Sequence, residues 1–497
     1  MPTPFSTITL ALCAVAVSPI IAAEKPASTP PLSPRNIILF IADGCGESTH
    51  RAFELWQGEP ARYQDPEWDR YNTTTFALRT SIRPSRNLPP LEQDPRLVYD
   101  PAKAWNTTPT DRAHGDYPFF FEGYRWLRAT ASDSANTASA ILTGVPTYRG
   151  AINLDGANNP TRSLAEAASD RGLAVGVVTS VPFNHATPAC AAGAHVPKRD
   201  MYHQIARQML TSGVCDVLAG AGHPGFDRNG SPREEPKYTY ISEEDWSALR
   251  AGTLADVDGS LWTLVDETAT IRSLATGEVQ LPLFLLAPVA QTLQQTRAPW
   301  ALRDATPPGG HPFIEDMPTL RDLTLAALNG LDDDPDGFFL VVEGGAIDWA
   351  MHDNQIGRMI EEMTDFVRTV EAVCNILDAG DRGYDWSNTL VIVTADHDHL
   401  LLGPESETIP FQPLTDNGPG VLPGYKWHAN THSNLPVPMF VRGCGSGVFA
   451  EIPTMPDTHA APDGRVFERQ PYFHQAEIGR TLLDLLEQPL ATTPQEP

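Results

Sequence analysis

Basic residues are scarce in this chain. Thirty-five Lys and Arg stand against 62 Asp and Glu in 497 residues, for a net charge of −27. Such a surface repels nucleic acid and anionic lipid, so neither is expected as a partner. Any anionic substrate therefore needs a local centre of positive charge. Cysteine is scarce too, with six in all and no zinc-ribbon spacing among them. That excludes a disulfide scaffold, leaves room for one bridge, and assigns any bound metal to His and carboxylate ligands. Beyond residue 23 no stretch approaches the roughly 18 continuous apolar residues of a membrane span. No internal repeat is visible. Hydrophobic content of 41% and charged content of 20% are ordinary for a globular protein. The length suits one large α/β domain with insertions, or two or three smaller domains.

Residues 1–23 read as a secretory signal peptide. An apolar core from about Ile8 to Ile21 is followed by the small residues Ala22 and Ala23, although no Lys or Arg precedes the core. A lipid-acceptor role for Cys13 would need a longer core before it. A secreted protein, periplasmic or extracellular, is expected. Residues 24–35 form a Pro-rich linker. Apolar runs at residues 36–41, 173–178, 338–342, 390–393 and 437–441 read as buried strands, and Pro438 in the last argues for an edge or a strand start. Helical patterns occupy residues 163–169, 320–328 and 360–377. Strand alternating with helix predicts an α/β fold with a doubly wound, mostly parallel central sheet flanked by helices. Residues 46–125 and 223–315 fit that pattern poorly and are expected as insertions at the rim. Residues 489–497 read as a flexible tail.

Ligands of open α/β sheets bind beyond the carboxyl ends of the strands, and the polar residues collect there. The first strand runs into Asp43-Gly44, and the second leads to His185 and Thr187. The third ends in Glu343, with Asp348 and His352 following at i,i+4 so that a helix would put both on one face. The fourth leads to Asp396-His397 within an Asp-His-Asp-His run, and His432 is expected in a polar loop before the fifth. Singly, Asp43-Gly44 is more often a turn and His432 more often nothing. Together they line one rim with four carboxylates, several imidazoles and a threonine, a donor set suited to a polynuclear metal site. Ser134 is a nucleophile candidate, in Ser132-Asp-Ser-Ala-Asn-Thr-Ala138, where small residues allow a helix to pack closely on the sheet. Its bland reading is a helix cap. The functional reading uses the helix N-terminus, which favours an anion.

In this order the segments resemble those of the alkaline phosphatase family. The resemblance rests on Asn36-Ile-Ile-Leu-Phe-Ile-Ala-Asp-Gly44, Asp133-Ser-Ala135, His185-Ala-Thr-Pro188, Val342-Glu-Gly-Gly-Ala-Ile-Asp348 with His352, Thr394-Ala-Asp-His397, and Thr431-His432 before residues 437–440. It spans about residues 36–441, and implies a single catalytic domain over residues 36–488. It also implies two Zn²⁺ and one Mg²⁺. Asp348, His352 and His432 would hold one zinc; Asp43, Asp396, His397 and Ser134 would hold the other. Asp43, Thr187 and Glu343 would hold the magnesium. Arg199 would clamp phosphate, with Lys198 as the alternative because the spacing in His195-Val-Pro-Lys-Arg199 differs from the family's. Asp133 would orient the arginine, and His185 and Trp349 would sit around the ligands. The implied activity is hydrolysis of small phosphate monoesters through a phosphoserine on Ser134, with ping-pong kinetics, an alkaline optimum, and inhibition by phosphate and chelators. A homodimer is one option, set against a short loop before His432.

Two other functions compete. A phosphodiesterase of the same superfamily would typically keep fewer metals than the Thr187 and Glu343 pair suggests. A non-catalytic secreted binder of metal or phosphate would be expected to have lost Ser134 or a metal ligand. A sulfatase would carry a Cys/Ser-x-Pro-x-Arg motif, and none is found.

Overall fold

Seven of the strands are short apolar runs with little polar interruption, the composition of strands covered on both faces. The computed structural model describes residues 33–81, 89–295 and 305–488. The expected signal peptide, most of the expected linker and the expected tail lie outside the described residues. Ser33, placed in the linker, is already packed, its hydroxyl donating to Leu485 O at 3.0 Å. In chain order the strands are β1 (Asn36–Ile41), β2 (Asp69–Thr74), β3 (Ala113–His114), β4 (Tyr117–Pro118), β5 (Ala174–Pro182), β6 (Val217–Ala221), β7 (Thr263–Val265) and β8 (Leu283–Leu286). They continue with β9 (Phe338–Glu343), β10 (Thr389–Thr394), β11 (Asp398–Leu402), β12 (Lys426–Ser433), β13 (Val437–Gly443), β14 (Met455–Ala460) and β15 (Val466–His474).

Eleven of them form one sheet, in the order β14-β15-β2-β13-β10-β1-β9-β5-β6-β8-β7. From β10 through β7 every neighbouring pair is parallel. Antiparallel pairings join β13 to β10 and to β2. Alternation along β1 divides the core: Ile38 and Phe40 face one apolar cluster, with the helices Leu320–Leu331 and Ile356–Ala379. Ile37, Leu39 and Ile41 face the other, with the helices Ser134–Thr143 and Ala476–Glu487. Burying each such Ile, Leu or Phe contributes about 1.5–3 kcal/mol. Helices on both faces of a mostly parallel sheet are the doubly wound arrangement expected.

Several details differ from expectation. β13 is internal, between β10 and β2, so Pro438 marks the strand start and no edge. The proline's carbonyl accepts from Thr394 Oγ1 at 3.2 Å. β2 comes from residues expected as a rim insertion, which also supply the helix Glu47–Gln57. β6 passes unnoticed in the sequence because it is short and made of small residues, Val-Leu-Ala-Gly-Ala. His432 lies on β12, paired with β11 in a two-stranded ribbon, and not in a loop. The five cysteines among the described residues are all buried free thiols, so the one bridge their number allowed is not formed. No helix among the described residues is long and apolar enough to cross a membrane.

Candidate active site

The carboxyl ends of β1, β9, β5 and β10 lie side by side. Register places Ile41 opposite Glu343 on one side and Thr394 on the other, and Glu343 opposite Thr179. Asp43, Glu343 and Asp396-His397 are therefore neighbours across three strands. Gly44 allows the turn after β1: its φ is +79° and an added Cβ would lie 2.6 Å from Met351 Cε. Its N–H donates to Asp396 Oδ1 at 2.9 Å, as does that of His397 at 2.8 Å.

Ser134 opens a helix in which every residue is buried. Asp133 caps it, accepting from Asn136 N at 3.2 Å, while the Asn136 side chain accepts from Asp133 N at 2.9 Å. The small residues let the helix lie on the sheet and against the last helix, where an added Cβ on Gly479 would meet Gly144 N at 2.4 Å. This packing aims Ser134 at the rim, with Oγ 3.3 Å from His397 Nε2. His397 Nε2 is also 3.4 Å from Asp43 Oδ1 and 3.3 Å from Asp396 Oδ2. These residues form one cluster. The second is centred on Asp348. His352 Nε2 approaches its Oδ2 at 3.3 Å, His432 Nε2 its Oδ1 at 3.4 Å, and the two imidazole Nε2 atoms are 3.1 Å apart. The other ring nitrogens are oriented by carbonyls: His352 Nδ1 by Asn430 O at 2.8 Å, His432 Nδ1 by Ser132 O at 2.9 Å. Such outer hydrogen bonds fix which nitrogen faces a metal.

His399 was not anticipated as part of the site. Its Nε2–H donates to Asp348 Oδ1 at 2.7 Å, and its ring joins His397, His432 and Asp348 in a group whose candidate ligand atoms lie within 4.8 Å of one another. The signal was present in the Asp-His-Asp-His run. Residues two apart on an extended segment share a face, so His399 follows His397 toward the same side.

Thr187 lies in the short helix Ala186–Ala191 after β5, and Glu343 ends β9. Glu343 Oε2 accepts the Thr179 hydroxyl, but Glu343 Oε1, Thr187 Oγ1 and Asp43 Oδ1 are buried and make no hydrogen bond. Arg199 turns its guanidinium toward Asp133 Oδ2 at 3.6 Å and His185 Nδ1 at 3.4 Å, while Lys198 is exposed. His185 packs edge-on to Trp349, ring centroids 5.5 Å apart.

Electrostatics separates the two clusters. Burial, then the charges of Asp396, Asp348 and Glu343, push Asp43 well above the usual carboxylate range. Burial also raises Asp396, and pushes Glu343 up to about 7 against the pull of the Thr179 hydroxyl. Burial would raise Asp348 as well, yet its imidazoles, His352 foremost, hold it well below the usual range. Burial drives His397 well down and His185 to about 3. His352, beside Asp348, is raised to about 9. Buried carboxylates that repel one another, beside His397 and oxygens without a hydrogen bond, are a poor arrangement for protein alone and a good one around cations. The donor types fit: imidazole with carboxylate suits zinc, and the Asp43, Thr187 and Glu343 oxygens suit magnesium.

The alkaline phosphatase family model matches residues 123–412, more than half of the chain. That stretch holds Ser134, Thr187, Arg199, Glu343, Asp348, His352, Asp396 and His397; Asp43 and His432 lie outside it. Alkaline phosphatase 3 of Bacillus subtilis is 30% identical over 275 residues, which cover 54% of this chain and 49% of that protein. The chain thus spans about half the length of this relative. The tissue-nonspecific alkaline phosphatase of Gallus gallus is 26% identical over 485 residues, covering 88% of this chain and 80% of that one. Among solved structures, the alkaline phosphatase of the Antarctic bacterium TAB5 superposes with a TM-score of 0.56 at 20% identity, covering 92% of this chain and 99% of that one. That of Thermus thermophilus gives 0.55 at 17%, covering 94% and 95%. At these identities the structures speak for the fold: a large, mostly parallel sheet between helices. With most of the site inside the matched stretch, the chain belongs to the alkaline phosphatase family.

Proposed function

We propose that this protein is a metal-dependent phosphomonoester hydrolase that transfers the phosphoryl group to Ser134 and then to water. The carrying observation is the position of Ser134 Oγ, at a buried helix N-terminus against His397, an imidazole shared by both carboxylate–imidazole groups, and next in sequence to Asp133, which Arg199 faces. Asp348, His352 and His432 would hold one Zn²⁺, and Asp43, Asp396 and His397 the other, with Ser134 beside it. Asp43, Thr187 and Glu343 would hold Mg²⁺; a mutant of the TAB5 enzyme is described with Mg bound in its M3 site. When bound, the cations supply positive charge to the serine oxygen, the transferred phosphoryl group and the departing alcohol oxygen.

The chain's own residues do the rest. Ser134 gives up its hydroxyl proton to solvent and attacks phosphorus in line with the leaving oxygen; the ester bond breaks as the phosphoserine forms, and the alcohol departs with a proton taken from water. Water then displaces Ser134, releasing inorganic phosphate. Arg199, planar and always charged, binds two equatorial phosphoryl oxygens. Asp133 and His185 keep its fork from collapsing onto the acidic rim. The helix cap and the Thr137 hydroxyl, which donates to Asp396 Oδ2 at 3.2 Å, hold serine and carboxylate in register. The leader read at residues 1–23 would export the enzyme to the periplasm or beyond.

The test is hydrolysis of p-nitrophenyl phosphate at alkaline pH by wild type and Ser134→Ala, with metal content measured on both. Wild type should turn over, and the variant should keep its metal and lose roughly a thousandfold or more in kcat. A fully metallated wild type that hydrolyses only diesters, or nothing, overturns the reading.

A further inference from the structure

Away from the reacting residues but on the same rim, a cavity of about 310 Å³ opens where β6 and β8 end, beside Gly222-His223 and Ala290-Gln291. Its lining includes Arg228, Arg233 and Lys237 against one carboxylate, Asp227. Three cations around one recess are unusual in a chain of net charge −27. Most other arginines of this half are spoken for: Arg207 pairs with Asp245, Arg250 with Asp266 and Arg272 with Asp316. Arg228 and Lys237 have no ion pair or side-chain hydrogen bond among the described residues. Arg233 spends only Nε, on Phe226 O at 2.7 Å.

The remaining polar groups do not neutralise the recess. Asp227 Oδ1 is turned into its own loop, accepting from Asn229 N at 2.8 Å and Ser231 N at 3.0 Å. His223 is committed at both nitrogens, to Asp266 Oδ2 at 3.2 Å and Gly225 N at 2.9 Å. Glu234 and Glu235 are exposed and lie outside the lining.

The recess adjoins the phosphate clamp. Tyr240 in its wall has its ring 5.0 Å from that of Tyr202, and Tyr202 stacks on His185 at 6.4 Å and 16°. His185 in turn touches Arg199. Asn184 fixes this arrangement, donating to the carbonyls of Tyr202 and Tyr240 at 2.8 and 2.7 Å. A second hollow, of about 360 Å³, is lined by Asp200 and Tyr202 and shares Thr239 with the first. Side-chain contacts through Tyr240, Tyr202 and His185 therefore link the cationic recess to Arg199.

We propose that this cationic recess binds a second anionic group, phosphate or carboxylate, carried by the same substrate molecule whose first phosphate lies between Ser134 and Arg199. The assignment rests on the phosphomonoesterase reading and narrows its substrate class to esters with a distal anion. Arg228 and Lys237 are exposed at the mouth of the recess and Arg233 is half-buried, and cations without a protein acid of their own are suited to charge-assisted hydrogen bonds with such a group.

The experiment uses the metal-loaded enzyme and a series of plain alkyl phosphates of increasing length, each paired with the same ester ending in a non-hydrolysable phosphonate. At one linker length the phosphonate should raise kcat/KM about tenfold, through KM. The double variant Arg228→Gln/Lys237→Gln should lose that gain and keep its rate on plain alkyl phosphates. No gain at any length, or a gain that survives in the variant, overturns the proposal. So does a saturable effect of free butylphosphonate, lost in the variant, without any gain from the tethered group: the recess would then serve a free anion. If wild type hydrolyses no alkyl phosphate at all, the phosphomonoesterase reading fails first.

Discussion

Two sets of buried acids answer the same physical problem in opposite ways. Asp457, in the small aromatic core between residues 99 and 472, is fully buried and satisfied by protein donors: Trp105 Nε1–H at 2.7 Å and Tyr99 O–H at 3.0 Å. Asp365 accepts from Leu320 N at 3.0 Å and Gln294 Nε2 at 2.7 Å; Glu361 accepts from Gln295 Nε2 at 2.8 Å and Gly309 N at 2.6 Å. At the rim, Asp43 and Glu343 are buried as deeply, yet each keeps an oxygen that accepts no hydrogen bond. An unpaired buried acceptor costs about 1–3 kcal/mol, and more when charged. Asp457, Asp365 and Glu361 are met by protein donors, whereas Asp43 and Glu343 face further carboxylates, and that crowding is what suits a cation.

The largest test of that contrast is metal removal. Stripping the cations leaves Asp43, Glu343, Asp348 and Asp396 facing one another in a low-dielectric rim. Activity should vanish and Tm should fall. A single ligand present at a thousand times its Kd is worth about 4 kcal/mol to the folded state. Zinc with magnesium should restore both. A protein verified as metal-free that keeps its activity and Tm would end the comparison.

A smaller effect separates the two kinds of acid directly. Glu343→Gln removes charge from a bare acid, so the metal-free variant should be more stable than metal-free wild type. The metal-loaded variant should instead lose about 10–100-fold in activity or magnesium affinity. Asp457→Ala removes the acceptor of Trp105 and Tyr99. It should cost about 3 kcal/mol with or without metal, and leave kcat unchanged. Thermal melts of both variants in both metal states decide it. Equal signs for Glu343→Gln in the two states would show that its carboxylate is structural after all.

The same contrast explains what was legible in the sequence. Asp43 and Glu343 stood out because unbroken apolar strands ran straight into them, a purely local pattern. Asp348 and His352 were legible from their helical spacing. The strands β2, β14 and β15 were not, because their residues are polar and half-exposed and they exist by pairing with distant partners. β6 was hidden by its small residues. His399 escaped because its role depends on Asp348, fifty-one positions away along the chain. The choice between Lys198 and Arg199 was likewise undecidable locally. Asp133 and His185, brought by other elements, turn one inward and leave the other in solvent.

The smallest expected effect belongs to an ion pair outside the rim. His195 Nε2 meets Glu166 Oε1 at 3.0 Å, four residues before Arg199. Burial alone would lower the imidazole, but the Glu166 hydrogen bond and the Asn153 carbonyl override it and raise its pKa. Burial would raise the carboxyl, and bonds from His195 and Ser163 N override that and lower it. The raised histidine gives stability that is complete below its ordinary 6.5 and is lost as pH climbs through the raised value. The lowered glutamate gives stability present above its ordinary 4.5 and lost as pH falls through the depressed value. Both are charged together between those ordinary values, so Glu166→Gln should cost most there, under about 1 kcal/mol for a partly exposed pair. Its bond to Ser163 N is one the amide oxygen can keep, a contribution that does not vary with pH. Melts of wild type and variant should therefore diverge at mildly acidic pH and converge toward the alkaline pH at which the enzyme is proposed to act. There the imidazole is neutral, and the segment leading to Arg199 is held by hydrogen bonds rather than charge. A difference that stays flat across the whole range would mean that the pair contributes only as a cap.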